Sequence, residues 1–285
     1  MNMVFKRVGT ILMVGLMLMT AILNAAVAEP FRIATFNVHY ISPNQTKMVW
    51  ADRRDAVVAA LSDMNADLVA FQEMETFIGG SGNPENQQLD WVLQHLPEYQ
   101  AAAVGDPRTY PATQPIIYRA ERFTPLEQGY FFYSATPDVI YSRQWNGGHA
   151  YFSSWVKFLD RQTEQAFYVL NVHNDYSSRS NRIKTTELIM QRMQPWLQSD
   201  APIVVLGDLN APGWFAEVAA IRDLGFTLAS SAGSTFHFNR GLHLFPAIDH
   251  ILFTGFQQQG DTERLNRRYD GVWPSDHHPV YISLQ

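Results

Sequence analysis

The chain has 285 residues, of which 46% are hydrophobic and 13% aromatic, and this composition excludes a disordered protein. Its formal net charge of −6 provides none of the broad positive surface with which nonspecific polynucleotide binders hold phosphates. The absence of cysteine excludes disulfides, thiolate metal sites and a lipid-anchored lipoprotein.

The first 28 residues have the features of an export signal. Lys6 and Arg7 form a basic start, an uncharged apolar stretch follows, and residues 26–28 offer a small-x-small cleavage site. We therefore predict a signal peptide over residues 1–28 and export to the periplasm or the medium. Its removal takes away two positive charges and no negative one, so the mature net charge changes from −6 to −8. Because the apolar stretch is long for a signal peptide, an N-terminal membrane anchor is the alternative. Residues 29–285 contain no repeat or linker and are predicted to form a single domain.

The first part of the mature chain alternates strands and helices. In chain order, its apolar patterns predict a strand over residues 31–37, a helix with Arg54, Val57, Val58 and Leu61 toward the core, a strand over residues 67–73, and a helix with Leu89, Val92, Leu93 and Leu96 toward the core. Such an alternation is typical of an α/β layered fold.

The remainder of the chain adds antiparallel pairs and further helices. Its patterns predict, in order, aromatic strands at residues 115–119 and 128–133, a hairpin of residues 151–159 and 165–172, a helix over residues 180–198 with Ile183, Met190, Met193 and Leu197 inward, a buried strand at residues 203–206, a helix at residues 214–224, and strands at residues 248–253 and 280–284.

Polar side chains stand where these strands end. Asp208 and Asn210 follow a buried strand with one residue between them, so both side chains point to the same side. The other strand-end residues of interest are Asn37, Glu73, His173, Asp249, Asp276 and His277. Taken singly, each is also typical of a turn, a cap or a hydrogen-bonded core position. Together they offer carboxylates, imidazoles and amides but no thiol, which favours phosphate ester hydrolysis assisted by Mg²⁺ or Mn²⁺.

Six ordered motifs run through the mature chain from residue 31 to residue 285. They are Thr35-Phe36-Asn37, Gln72-Glu73, Asn171-x-His173, Gly207-Asp208-x-Asn210, Ile248-Asp249-His250 and Ser275-Asp276-His277-x-Pro279-Val280. In this order they resemble the motif series of the endonuclease/exonuclease/phosphatase superfamily, whose fold is DNase I-like. Residues 115–119 and 129–138, His173 to Asp175 with Arg182, and the segment that begins at Thr235 resemble a bacterial, deadenylase-like branch. The resemblance implies an α/β fold, a four-layer sandwich with two mixed β-sheets face to face and helices on the outside.

The resemblance also implies a role for each motif residue. Asn37, Glu73 and Asp276 would bind the metal, which is Mg²⁺ or Mn²⁺ in this family. The catalytic set would comprise Asp208, which orients or deprotonates the attacking water; Asn210, which binds the oxyanion; His277, which is oriented by Asp249 and acts on the phosphoryl group; and His173, which assists the leaving oxygen or the phosphate. From the branch pattern, Asp175 and Arg182 would contact the substrate.

One stretch departs from the branch pattern. The branch has an Arg six residues after the Trp that corresponds to Trp145, and Tyr151 stands at that position here. The change concerns substrate recognition more than hydrolysis, since it lies outside the six motifs. Arg143 or His149 could replace the missing cation, so both are candidate substrate-binding residues.

We therefore predict an exported, divalent-metal-dependent phosphodiesterase, nuclease-like, that cleaves its phosphodiester substrate by in-line attack of water. The expected substrate is a nucleic acid or a smaller phosphoester, and we expect a monomer without a protein partner. One alternative is a phospholipid or small-molecule phosphoesterase of the sphingomyelinase or phosphoinositide phosphatase type. The other is a catalytically inactive binding domain, although such a domain would be expected to have lost some of the motif residues.

Overall fold

The computed structural model describes residues 29–42, 44, 46–74, 85–145, 149–229 and 233–285. Its strands are β1 (Phe31–Asn37), β2 (Leu68–Gln72), β3 (Tyr99–Ala102), β4 (Ile116–Arg119), β5 (Phe123–Phe132), β6 (Phe152–Asp160), β7 (Gln165–His173), β8 (Ile203–Asp208), β9 (Thr227–Ala229), β10 (Asp249–Thr254), β11 (Gln258–Arg264) and β12 (Val280–Leu284). Its helices are α1 (Trp50–Met64), α2 (Gln87–His95), α3 (Arg179–Gln198) and α4 (Ala216–Arg222). The predicted signal peptide lies outside the described residues. Within them, every helix is too short or too polar to cross a membrane.

The strands form two six-stranded sheets. Sheet 1 has the order β11-β12-β1-β2-β4-β3, and sheet 2 has the order β5-β6-β7-β8-β10-β9. Each sheet is mixed, because β1 and β2 in sheet 1, and β7 and β8 in sheet 2, pair in parallel, while the neighbouring strands pair antiparallel. Parallel neighbours need a crossover, and α1 and α3 supply it, since each lies between the two parallel strands in the chain.

Apolar side chains fill three layers between these elements. Between the sheets lies a cluster that includes Ile33, Phe158, Val204 and Ile251. A second cluster joins the outer face of sheet 1 to α1 and α2, and a third joins the outer face of sheet 2 to α3 and α4. The order helix, sheet, sheet, helix confirms the predicted four-layer α/β sandwich.

The strands that the sequence patterns missed are β3, β9 and β11, and all three lie at sheet edges. The strand β5, which begins five residues before its predicted start at residue 128, is the fourth edge. An edge strand is paired and covered on one side only, so its side chains alternate less clearly between apolar and polar. The interior strands were predicted to within two residues because their apolar side chains form a continuous run, as in β8, or recur along the strand, as in β1.

The predicted inward faces of two helices were partly wrong. In α1, Val57 and Leu61 are buried as predicted, but Arg53 is the buried arginine, and Arg54 lies half-buried over the ring of Trp91 at 3.7 Å. In α3, Met193 is buried, whereas Ile183 is 39% exposed. Periodicity treats an arginine as polar, and therefore cannot recognise one whose donors are all satisfied in the interior.

Candidate active site

The ends of the central strands of sheet 2 bring three predicted residues into one row. His173, the last residue of β7, pairs with Asp208 at the end of β8, and Asp208 pairs with Asp249 at the start of β10. Gly207 precedes Asp208 with φ of 142°, and a Cβ there would lie 1.9 Å from the carbonyl oxygen of Val172. Only glycine therefore allows β7 and β8 to approach each other at this point.

A carboxylate–imidazole pair lies beside this row. His277 Nδ1 is 2.9 Å from Asp249 Oδ2, and the other ring nitrogen, Nε2, lies 3.8 Å from Asp208 Oδ2. The ring of Phe236 covers His277 at 4.9 Å between centroids. Asp249 thus orients the imidazole, and Nε2 faces the centre of the site.

Burial and the neighbouring charges act together on two of these groups. Burial, followed by the charge of Asp249, raises the pKa of Asp208 well above its usual range. Burial alone would lower the pKa of His277, but the charges of Asp249, Asp208 and Asp276 outweigh it and hold that pKa well above its ordinary value. His277 is therefore an imidazolium at neutral pH, with Asp249 as its counter-ion.

Asn37 joins the two sheets at the floor of the site. Its Nδ2 donates to Glu73 Oε1 at 3.2 Å and to Asp208 Oδ2 at 3.1 Å. Asn37 closes β1, and Glu73 follows the last residue of β2, which is the parallel neighbour of β1. The side-chain amide of Asn37 thus connects the carboxyl ends of the two parallel strands of sheet 1 to the end of β8 in sheet 2.

Two half-buried carboxylates approach a histidine that the sequence did not predict. His39 Nδ1 lies 3.4 Å from Asp276 Oδ1 and 3.7 Å from Glu73 Oε2. The residues His39, Glu73 and Asn210 all have positive φ, of 57°, 59° and 48°. Left-handed backbone in non-glycine residues is costly and is concentrated at functional sites. His39 could have been inferred from its spacing of two residues after Asn37, at the end of the first strand.

His173 lies between Glu73 and Asp208. Its Nε2 is 3.7 Å from Glu73 Oε1 and 3.9 Å from Asp208 Oδ2. Burial lowers its pKa, although the charge of Glu73 acts in the opposite direction, so the ring is neutral at neutral pH. Tyr151 stands perpendicular to this ring at 5.2 Å. Tyr151, which stands where the branch pattern has an arginine, therefore borders the site.

Asn210 and Asn174 complete this rim. The backbone N–H of Asn210 donates to Asp208 Oδ1 at 2.9 Å, and its Nδ2 donates to the carbonyl of Asn174 at 2.9 Å. An amide has two N–H donors, so the second remains for an oxyanion.

A second feature that the sequence did not reveal is a buried amide network beneath the site. Gln72 Nε2 donates to Asn171 Oδ1 at 2.7 Å, and Asn171 Nδ2 donates to the carbonyl of Phe71 at 2.8 Å. Thr35 Oγ1 donates to Gln72 Oε1 at 3.2 Å. These bonds cross between β7 and sheet 1, so they hold the two rows of strand ends in register.

Two groups of side chains could hold a divalent cation. Asp208, Asp249 and His277 present ligand atoms within 4.8 Å of one another. The predicted metal residues Asn37, Glu73 and Asp276 form the other group, through contacts of Glu73 with Asn37 and of both carboxylates with His39. The donors of the second group are hard oxygens, which Mg²⁺ and Mn²⁺ prefer, although Asn37 Oδ1 accepts the backbone N–H of His39 at 3.1 Å. In the first group Asp249 is engaged by His277. Metal binding by Asn37, Glu73 and Asp276 stays a prediction.

Of the four predicted substrate-binding residues, Arg143 and His149 are exposed, whereas Asp175 and Arg182 are buried. The ring of His149 is 5.7 Å from that of Tyr151. Asp175 accepts bonds from Ser177 and Asn181, and Arg182 pairs with Glu217 at 3.2 Å and donates to the carbonyl of Asp175. These positions place His149 at the rim of the site and show Asp175 and Arg182 supporting the loop after β7. A substrate contact by any of the four stays a prediction.

Comparisons with known proteins show the family and the fold. The sequence model described as "Endonuclease/Exonuclease/phosphatase family" matches residues 34–277. Uncharacterized protein L388 of Acanthamoeba polyphaga mimivirus is 25% identical over 166 residues, which span 56% of this chain and 59% of that protein. The solved mannosyl-6-phosphatase Bt3783 of Bacteroides thetaiotaomicron VPI-5482 has a TM-score of 0.74 and 23% identity, with 90% of this chain and 99% of that chain covered. TDP2 of D. rerio, solved with a single-strand DNA product, has a TM-score of 0.63 and 15% identity, with coverages of 90% and 100%. At these identities the two structures show a shared fold.

Proposed function

The chain belongs to the endonuclease/exonuclease/phosphatase family, whose members hydrolyse phosphoester bonds, and we propose that it is an exported, divalent-metal-dependent phosphodiesterase with a nuclease-like substrate. The observation that carries the proposal is the opposition of two sets of groups across Asn37. On one side lie Asp208 and the Asp249–His277 pair; on the other lie Glu73 and Asp276. In-line hydrolysis needs a group that orients the attacking water on one side of the phosphorus atom. It also needs positive charge or hydrogen-bond donors that stabilise the negative charge on the phosphoryl oxygens.

The buried side of the site supplies the proton chemistry. Asp208 is the base: it holds the attacking water and accepts its proton once ionised. His277 donates from Nε2 to a phosphoryl oxygen, and Asp249 keeps the imidazolium charged and oriented. The free N–H of Asn210 donates to the developing oxyanion. His173, neutral and beside Glu73, accepts or donates a hydrogen bond near the leaving oxygen.

Glu73, Asp276 and Asn37 would hold the cation. When bound, the cation supplies positive charge that polarises the phosphoryl oxygens and favours the ionised form of Asp208. The oxygen-rich donor set suits Mg²⁺ or Mn²⁺. The chain contains no cysteine, so it offers no thiolate that would select a softer metal.

The test is hydrolysis by the purified protein with Mg²⁺ or Mn²⁺, with and without EDTA, on single-stranded DNA, duplex DNA, RNA, sphingomyelin and bis-p-nitrophenyl phosphate. The proposal expects EDTA-sensitive cleavage of a nucleic acid. Cleavage that persists in EDTA, or binding of a substrate without any turnover, would contradict it. Periplasmic or extracellular recovery of a chain that starts near residue 29 would support export.

A second candidate is a hydrolase of a small phosphoester, as the name of the Bacteroides phosphatase suggests for that protein. The observation that favours it is Tyr151, whose ring borders His173 where the branch pattern has a cation. An aromatic ring can lie against a sugar or a base, but it cannot pair with a second phosphate. Turnover of the small diester or of a sugar phosphate, without cleavage of any nucleic acid, would favour this candidate.

A further inference from the structure

Arg53 of α1 is buried behind the candidate metal residues. It is 1% exposed, and it is one of the largest fully buried side chains among the described residues. Two other arginines are buried in the described part of the chain, and each pairs with a carboxylate: Arg122 with Asp160 and Arg182 with Glu217. Arg53 differs from them because its hydrogen bonds go to backbone carbonyls without a carboxylate partner among the described residues.

These carbonyls belong to segments that carry site residues. Arg53 Nη1 donates to the carbonyls of Val38 and Pro274, and the latter distance is 3.0 Å. Nη2 donates to the carbonyl of His39, and Nε donates to that of Met48 at 2.9 Å. Val38 follows Asn37, whereas Pro274 lies two residues before Asp276. One guanidinium therefore ties the loop after β1 to the loop before β12.

The charge of Arg53 is directed at the same place. Burial lowers its pKa to about 10, while the charges of Asp276 and Glu73 act in the opposite direction. The group therefore stays protonated at neutral pH, and its charge interacts with both carboxylates while its hydrogen bonds go to backbone carbonyls. Arginine suits this role because its planar fork offers five donors in fixed directions.

We propose that Arg53 is a positioning residue for the metal site: by bonding the carbonyls of Val38, His39 and Pro274, it holds Asn37, His39 and Asp276 at the spacing that a divalent cation requires. The inference rests on the proposed function, since it concerns the same site. Residues that orient metal ligands typically change metal affinity about 10- to 100-fold when they are replaced. Replacing a positioning residue should therefore weaken metal binding, whereas replacing a residue that only stabilises the fold should not.

The experiment measures binding of Mn²⁺ and of Mg²⁺ by calorimetry to the purified protein, expressed from its full-length sequence, in four variants. Arg53→Gln should weaken metal binding about 10- to 100-fold. Arg53→Lys should weaken it less, because the ammonium keeps the charge but lacks the fork. Arg122→Gln and Arg122→Lys are the matched controls, since Arg122 also bonds two backbone carbonyls, those of Glu29 and Pro30, away from the site. In steady-state kinetics, the metal concentration for half-maximal rate should rise for the Arg53 variants while kcat at saturating metal changes little.

Several outcomes would overturn the inference. A folded Arg53→Gln variant with the metal affinity of the wild type would do so, and if that variant fails to fold, an unchanged affinity in Arg53→Lys would do the same. Equal losses of metal affinity in the Arg122 variants would reduce Arg53 to a general stabilising residue. A wild type that binds metal but hydrolyses no phosphoester would contradict the proposed function alone, and a wild type that binds no divalent cation would contradict both.

Discussion

At the scale of single residues, the titratable groups of the site lie in contact with one another in one buried space. Asp208 contacts Asn37, the N–H of Asn210, and the imidazoles of His173 and His277. Because the two carboxylates near His277 compete for its proton, a change at one group alters the protonation of the others. Effects of substitutions here are therefore expected to appear in pH profiles as well as in rates.

The first prediction concerns His277. We expect His277→Ala to lower kcat by about 10²- to 10⁴-fold, because the variant loses the proton donor that faces the phosphoryl group. Steady-state hydrolysis at saturating metal measures this, with circular dichroism to confirm the fold. Asp223→Asn, which changes an exposed carboxylate, is the control and should keep the wild-type rate. A His277→Ala variant with the wild-type kcat would show that the site has been assigned wrongly.

The second prediction concerns Asp249, whose charge is the largest of those that raise the pKa of His277. In Asp249→Asn the imidazolium loses its counter-ion, so its pKa falls. If protonated His277 is the active form, activity is lost as pH rises through that pKa. The alkaline limb of the kcat/KM profile should therefore move to lower pH in the variant. An alkaline limb at the wild-type pH, together with a lowered rate throughout, would contradict the proton-donor role.

At the scale of elements, strand pairing places the catalytic set. The parallel pairs β1–β2 and β7–β8 bring four carboxyl ends to one edge, and β10 begins at that edge because it runs antiparallel to β8. A one-residue change of register would turn Asp208 to the opposite face. Gly207 pairs with Val172, and any side chain at position 207 would collide with the backbone of β7 and disturb this register.

The third prediction tests that position. Gly207→Ala should destabilise the protein by at least about 3 kcal/mol, since the new Cβ would collide with the backbone of β7. Gly260→Ala is a matched control: its φ is also positive, at 74°, but no heavy atom lies within 4 Å of the added Cβ. It should cost about 1 kcal/mol, the strain of the backbone alone. Urea unfolding of both variants measures the difference in the free energy of unfolding. Equal destabilisation of the two variants would mean that β7 shifts away from the new Cβ without loss of stability.

At the scale of the whole molecule, several histidines are buried without charge. His237 and His278 stack at 4.0 Å between ring centroids, and Trp273 lies against both. Burial lowers the pKa of His237 to about 4, and burial together with the neighbouring His237 lowers that of His278 to about 2. Both rings are therefore neutral in the folded protein at neutral pH.

The fourth prediction follows from these pKa values. Each histidine binds a proton more readily in the unfolded chain, where its pKa is about 6.5, than in the folded protein. Its contribution to stability is complete above pH 6.5 and is lost as pH falls toward the folded pKa, by up to about 1.4 kcal/mol per pH unit for each histidine. Urea unfolding at pH 7, 6 and 5 should show this slope. His278→Gln should reduce it, and a slope unaffected by His278→Gln would contradict the prediction.

The sequence by itself determined the layered fold class, the interior strands and the chemistry of the strand-end residues. It could do so because buried strands are continuous apolar runs and because carboxylates and amides that follow them stand out locally. It did not mark Arg53 as buried or Gln72 and Asn171 as hydrogen-bond partners, since isolated polar residues in apolar patterns have no local feature that identifies their partners. For His39 it offered only the spacing of two residues after Asn37.

Tertiary structure alone decided which of these groups meet. Asn37 and Asp208 are 171 positions apart in the chain, and Arg53 and Pro274 are 221 apart. Their contacts arise from the stacking of two sheets and the packing of α1, which local periodicity does not encode. At that junction burial raised the pKa of Asp208, and the charges of the neighbouring carboxylates raised the pKa of His277 against the effect of burial, because both desolvation and charge depend on every element that surrounds a group. Residue types were readable from the chain, whereas their distances and protonation states required the folded protein.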